Sequence, residues 1–88
     1  MIAEFVKEIR DISTKNENIT DIMFTPITDG YKISFVYNND TKVKVAARVK
    51  GFFRKKLIIE KYVDSKLSVS YKAQSKEEIS HYAELILS

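Results

Sequence analysis

Apolar residues recur along this chain in two rhythms. Ile2, Phe5, Val6, Ile9 and Ile12 fall three and four apart, the stripe of one helical face. Acids lie early in this stretch and Lys15 lies late, as the helix dipole favours. The spacing predicts a helix from Ile2 to about Ser13, ended by the polar run Thr14 to Asn18. The rhythm then changes to two. Asp21-Ile22-Met23-Phe24 reads as a short strand, with Pro26 ending it or placing it at a sheet edge, because proline cannot donate to a ladder. Asp29-Gly30 signals a turn. Tyr31, Ile33, Phe35 and Tyr37 alternate with Lys32, Ser34 and Val36, the pattern of a half-buried strand. Asn38-Asn39-Asp40 makes the next turn, and Val43 and Val45 alternate with Lys42 and Lys44 in a third strand.

Ala46 to Val63 reads two ways. As a continued strand it sets Arg48 and Lys50 beside Lys42 and Lys44 on one face. As a helix it gathers Val45, Val49, Phe52, Phe53 and Val63, at a cost of ~1 kcal/mol for Gly51 in the interior. The apolar grouping favours a helix from Ala46 to Lys56. Leu57 to Val63 either extends it or forms a strand turning at Asp64-Ser65. Leu67, Val69 and Tyr71 alternate once more as a strand. Ser75 and Glu78 fit a capping box, ahead of a last helix that buries Ile79, Tyr82, Ala83 and Ile86. The expected fold class is α+β, a small antiparallel sheet with helices packed on one face, in the order α-β-β-β-α-β-α.

The 88 residues suit one domain with one modest core. The net charge of +3 conceals an asymmetry. Thr41 to Lys66 holds nine cations against Glu60 and Asp64, a balance of +7, and the remainder sums to −4. Such a segment can attract phosphate or an acidic protein face.

Little in the sequence points to catalysis. With no cysteine there are no disulfides and no thiolate sites. His81, the one histidine, reads as a helix-surface residue, since no second histidine stands by to share a metal or a proton. The two glycines open no phosphate-binding loop. Asp21, Tyr31 and Lys32 would carry polar chemistry only if a pocket gathered them. Lys50-Gly51-Phe52 matches the start of an RNA-binding aromatic motif, but Phe53 and Arg54 break it. Tyr31 and Tyr37 share the face of Phe35 and are expected in the core; on an open face they would be able to stack bases. No metal or cofactor is expected. No apolar run approaches the ~20 residues of a membrane span. Glu4, Lys7 and Glu8 interrupt what a signal peptide would keep apolar. A cytoplasmic location is the default expectation.

The pieces also have an order. Asp21-Ile22, Phe24 and Pro26 precede Lys32-Ile33-Ser34-Phe35 and Asn38-Asn39. Then come Arg48-Val49-Lys50, Glu60-Lys61 and Asp64-Ser65-Lys66-Leu67-Ser68. This series resembles the N-terminal PAS-like subdomain of the secretion ATPases, the motors of type II secretion, type IV pilus assembly and DNA-uptake competence. That subdomain carries S-D-I-H-x-x-P and R-V-R-F-R-x-D-G, then S-R-I-K on a helix, E-K-R, and D-G-R-hydrophobic-S on a strand. The likeness spans residues 2–72. It implies an association surface, because in the family this sheet belongs to a subdomain that packs against a neighbouring motor domain. It implies no ATP hydrolysis, because these residues hold no Walker loop. Met23 replaces the family's histidine. Lys32, Ser34 and Val36 replace strand arginines, and a lysine lacks their bidentate fork.

The expected function is therefore a non-catalytic protein-interaction module, adaptor or regulator, docking on a protein partner or on another copy of itself. Lys42, Lys44, Arg48, Lys50, Arg54, Lys55 and Lys56 form its expected basic patch, with Phe52 and Phe53 as anchors. The alternative is a small basic nucleic-acid-binding protein with little sequence preference.

Overall fold

The period of two runs further than three strands. In the computed structural model, which describes all 88 residues, α1 (Ile2–Thr14) leads into β1 (Ile19–Ile27), β2 (Gly30–Tyr37), β3 (Thr41–Lys50), β4 (Lys56–Val63) and β5 (Lys66–Ala73), followed by α2 (Lys76–Ile86). The strands form one antiparallel meander in the order β1-β2-β3-β4-β5. The class is α+β as expected, with both helices on one side of the sheet. The element order is α-β-β-β-β-β-α.

The helix expected over Ala46 to Lys56 is thus corrected. Val43, Val45, Ala47 and Val49 keep unbroken alternation with Lys42, Lys44, Arg48 and Lys50, and β3 follows it to Lys50. The helical alternative needed Phe52 and Phe53 as buried positions, and both lie in solvent. Gly51 takes φ +107, which ends the strand. A methyl group there would also meet the Arg54 carbonyl oxygen at 2.3 Å. Leu57 to Val63, left open between helix and strand, lies within β4.

Turn chemistry sets the register. Asn38 and Asn39 both adopt positive φ, as do Asp64 and Ser65, the backbone that tight hairpins demand. The Asp64 carboxylate accepts from the Lys42 N–H at 3.3 Å, and its own N–H donates to the Lys42 carbonyl at 2.9 Å. The last hairpin is so tied to β3. β1 is an edge strand, where Pro26 is tolerated, and a bulge at Asp21 (φ 55) shifts its pairing between Thr20 and Met23. Gly30 is required by proximity: a Cβ there would lie 1.8 Å from the Ala47 carbonyl oxygen.

Register assigns the faces. Tyr31, Ala47, Ile59 and Tyr71 form one row across the sheet, and Ile33, Val45, Lys61 and Val69 the next. The helices cover this side: α1 lies on β2 and β3, α2 on β5, and the two pack against each other. Phe5, Ile9, Ile79, Ala83 and Ile86 come down onto Ile33, Val45, Ala47, Leu57 and Ile59 to make the core. Tyr82 of α2 stacks on Tyr71 of β5 with centroids 4.5 Å apart, and Arg10 of α1 lies 4.7 Å from the centroid of the Phe24 ring. Ser75 caps α2, accepting from the Glu78 N–H at 3.2 Å. The Glu78 carboxylate reaches back to the Gln74 N–H at 3.0 Å, one residue beyond the usual box.

Two substitutions test this arrangement. Ile59→Ala, at a fully buried position, is expected to cost about 2–5 kcal/mol in urea unfolding with an unchanged denaturant slope. Gly30→Ala is expected to lower the thermal midpoint by forcing β2 away from β3. Its amide-exchange protection should fall first at Val49, whose N–H donates to Asp29 at 2.8 Å.

Candidate binding surface

The opposite side of the sheet has no cover. Lys32, Ala46, Glu60 and Ser70 form one row on it. Ser34, Lys44, Tyr62 and Leu67 form the next, and Arg48, Ile58 and Lys72 a third. Lys50 faces Lys56 at one end, and Lys42 lies beside Val36 at the other. Seven cations (Lys32, Lys42, Lys44, Arg48, Lys50, Lys56 and Lys72) share this face with two acids, Glu60 within it and Asp21 at its β1 edge beside Ser34, Lys42 and Lys44. Arg48 and Glu60 approach to 3.9 Å, both partly exposed, a contact of little energetic weight. The other cations make no ion pair.

The centre of the face is less polar. Ala46, Ile58 and Tyr62 are half-buried there. A shallow depression of about 280 Å³ is lined by Lys32, Lys44, Val45, Ala46, Tyr62 and Ser65. Met23 and Leu67, 63% and 56% exposed, lie along β1 and β5.

Of the expected patch, Lys42, Lys44, Arg48, Lys50 and Lys56 come together on the open face. Arg54 and Lys55 do not. They sit in the β3–β4 loop with the exposed Phe52 and Phe53. Lys32 and Lys72 belong to the face but lie outside the basic segment. Their alternation with Ile33 and Tyr71 was the signal that places them. Tyr31 and Tyr37 are half-buried on the helix-covered side, with Phe35 in the core. Tyr31 and Lys32 are successive strand residues and point to opposite faces, so Asp21, Tyr31 and Lys32 do not converge on one site. His81 is exposed on α2, its ring 5.6 Å from that of Tyr82. No three residues among His, Asp and Glu lie together as metal ligands, and no helix is long and apolar enough to cross a membrane.

Comparison with family models, curated proteins and solved structures finds no match to this chain.

Lys61 is the cation of the basic segment on the wrong side. It pairs with Val45 and Val69 on the helix-covered face, and burial lowers its pKa from the ordinary 10.5. A lysine whose folded pKa lies below its unfolded value penalises folding wherever both states are protonated. The penalty is relieved as pH rises from the folded pKa towards 10.5, because the unfolded chain then holds more protons. Lys61→Met keeps the apolar stem and removes the charge. It is expected to raise the thermal midpoint at neutral pH, with the gap to the parent narrowing as pH approaches 10.5.

Proposed function

We propose that this chain is a non-catalytic interaction module whose open sheet face docks on an acidic surface of a partner protein. The make-up of that face carries the reading: Ala46, Ile58 and Tyr62 at its centre, seven cations around them, and only Glu60 and the edge residue Asp21 as acids. An apolar centre with a polar rim is the common anatomy of protein interfaces. A rim of one sign steers encounter and selects the partner more than it deepens affinity.

The resemblance to the secretion-ATPase subdomain suggests the class of partner, an ATPase subunit of such a motor. Asp21-Ile22, Phe24 and Pro26, Lys32 to Phe35, and Glu60-Lys61 lie on strands, and Asp64 to Ser68 on a turn entering β5. Arg48-Val49-Lys50, which the family places on a helix, lies on β3, so support for that partner rests on the other pieces.

A second reading has one observation in its favour. Tyr62 lies beside Lys44 in the central depression, where a base would stack over a ring flanked by cations. Single-strand platforms set several aromatic rings in succession, and this face has one, so the protein partner is preferred.

Lys32→Glu combined with Lys44→Glu reverses charge at two exposed positions that make no ion pair. In cross-linked co-purification from the native cell, the parent chain is expected to link through Lys42 or Lys72 to an acidic protein. The double variant should recover that protein at least about tenfold less, with an unchanged melting curve. Equal recovery by the variant, or links confined to the helix side, overturns the reading. Titration with single-stranded and duplex nucleic acid up to about 50 μM is expected to leave fluorescence anisotropy flat, and a saturating, salt-sensitive rise selects the second reading instead.

A further inference from the structure

The β3–β4 hairpin ends in Gly51-Phe52-Phe53-Arg54-Lys55, and its phenylalanines are the most exposed large apolar side chains of the protein, at 89% and 93%. Their ring centroids lie 5.1 Å apart, edge to face, and neither ring joins the core. Lys50 and Lys56 face each other across the last rung of the hairpin, and Arg54 and Lys55 follow the rings in the loop. Thr41 to Ile59 contains no acid at all. Folding does not explain this tip, because the rings gain nothing by burial and the cations repel one another.

We infer that the tip is a membrane-surface anchor. It seats Phe52 and Phe53 at the boundary between headgroups and acyl chains of an anionic bilayer, with Lys50, Arg54, Lys55 and Lys56 against the lipid phosphates. The tip makes two demands at one depth: an apolar medium that a protruding loop can reach, and negative charge on every side. An anionic bilayer meets both. A nucleic acid meets the second demand only. Bases stack on rings parallel to them, and the two rings here stand 81° apart. A protein pocket meets the first, but interface centres exclude lysine, and here cations flank the rings on both strands. The anchor is peripheral and reversible, with each cation contributing roughly fivefold in partition near a charged surface. It does not depend on what docks at the sheet centre, although Lys50 and Lys56 border both regions.

Co-sedimentation with vesicles tests the inference. The intact chain is expected to pellet with phosphatidylcholine–phosphatidylserine vesicles and to stay in solution with pure phosphatidylcholine. Phe52→Ser with Phe53→Ser should lower binding at least about tenfold without moving the melting curve, since both rings lie outside the core. Arg54→Gln with Lys55→Gln should lower it by about twenty-five-fold. The chain has no tryptophan, so Phe53→Trp provides a unique probe. Its emission should shift to the blue on the anionic vesicles and be quenched by brominated acyl chains. Failure of the intact chain to pellet with anionic vesicles, equal pelleting by the serine variant, or an unshifted tryptophan overturns the inference. So does single-stranded DNA binding that the serine variant loses while vesicle binding is absent.

Discussion

Burial of one side of the sheet beneath a pair of mutually packed helices is the interaction on which the rest of this structure depends. A meander of five strands joined by tight turns supplies backbone hydrogen bonds but no core of its own. The core exists because α1 and α2, at opposite ends of the described chain, both lie on the side holding Ile33, Val45, Ala47, Leu57 and Ile59. Small residues make this possible. Ala47 beneath the helices, Ala73 at the end of β5 and Ala83 on α2 are all fully buried, and each lets larger neighbours approach.

One-sided cover has an electrostatic consequence. Every strand must send alternate residues to the uncovered side, so charge excluded from the core accumulates there. β2, β3, β4 and β5 each contribute cations to it, whereas its acids are Glu60 of β4 and, at the edge, Asp21 of β1. Most carboxylates lie elsewhere: Glu4, Glu8 and Asp11 on α1, and Glu77, Glu78 and Glu84 on α2. The fold thereby turns a modest net charge into a molecule with a basic sheet side and carboxylates on its helical side. Lys61 is the exception, held on the covered side by register rather than by chemistry.

Much of this was legible in the residues. The first helix, the strands around Ile33, Val45 and Val69, and the Ser75 cap all follow from local pattern, because each is fixed within a few residues; the Asp64-Ser65 turn was one of two open readings. Ala46 to Lys56 was not legible. Its apolar residues satisfy a helical period as well as a strand period, and the choice is made by β4, a non-local partner that pairs with β3 along its length. The same choice decided the patch. Lys32 and Lys72 join it only once register is known, whereas Arg54 and Lys55 leave it because Gly51 turns the chain away. Nothing local says whether Phe52 and Phe53 are buried; a continuous helix would have hidden them.

A sequence that specifies a fold usually agrees with itself at every level, and departures mark places kept for another reason. This chain departs at two adjoining places. Lys50 stands directly opposite Lys56, an arrangement that weakens strand pairing where a single acid would strengthen it. Immediately beyond, two phenylalanines occupy a loop where polar residues would serve solubility better. Neither feature is compensated within the protein: the one ion pair of the open face lies at Arg48, and the rings touch only each other among aromatic side chains. Repulsive charge and exposed ring surface placed together at the end of one hairpin match a surface that is both negatively charged and apolar, which is the physical ground for the membrane anchor inferred above.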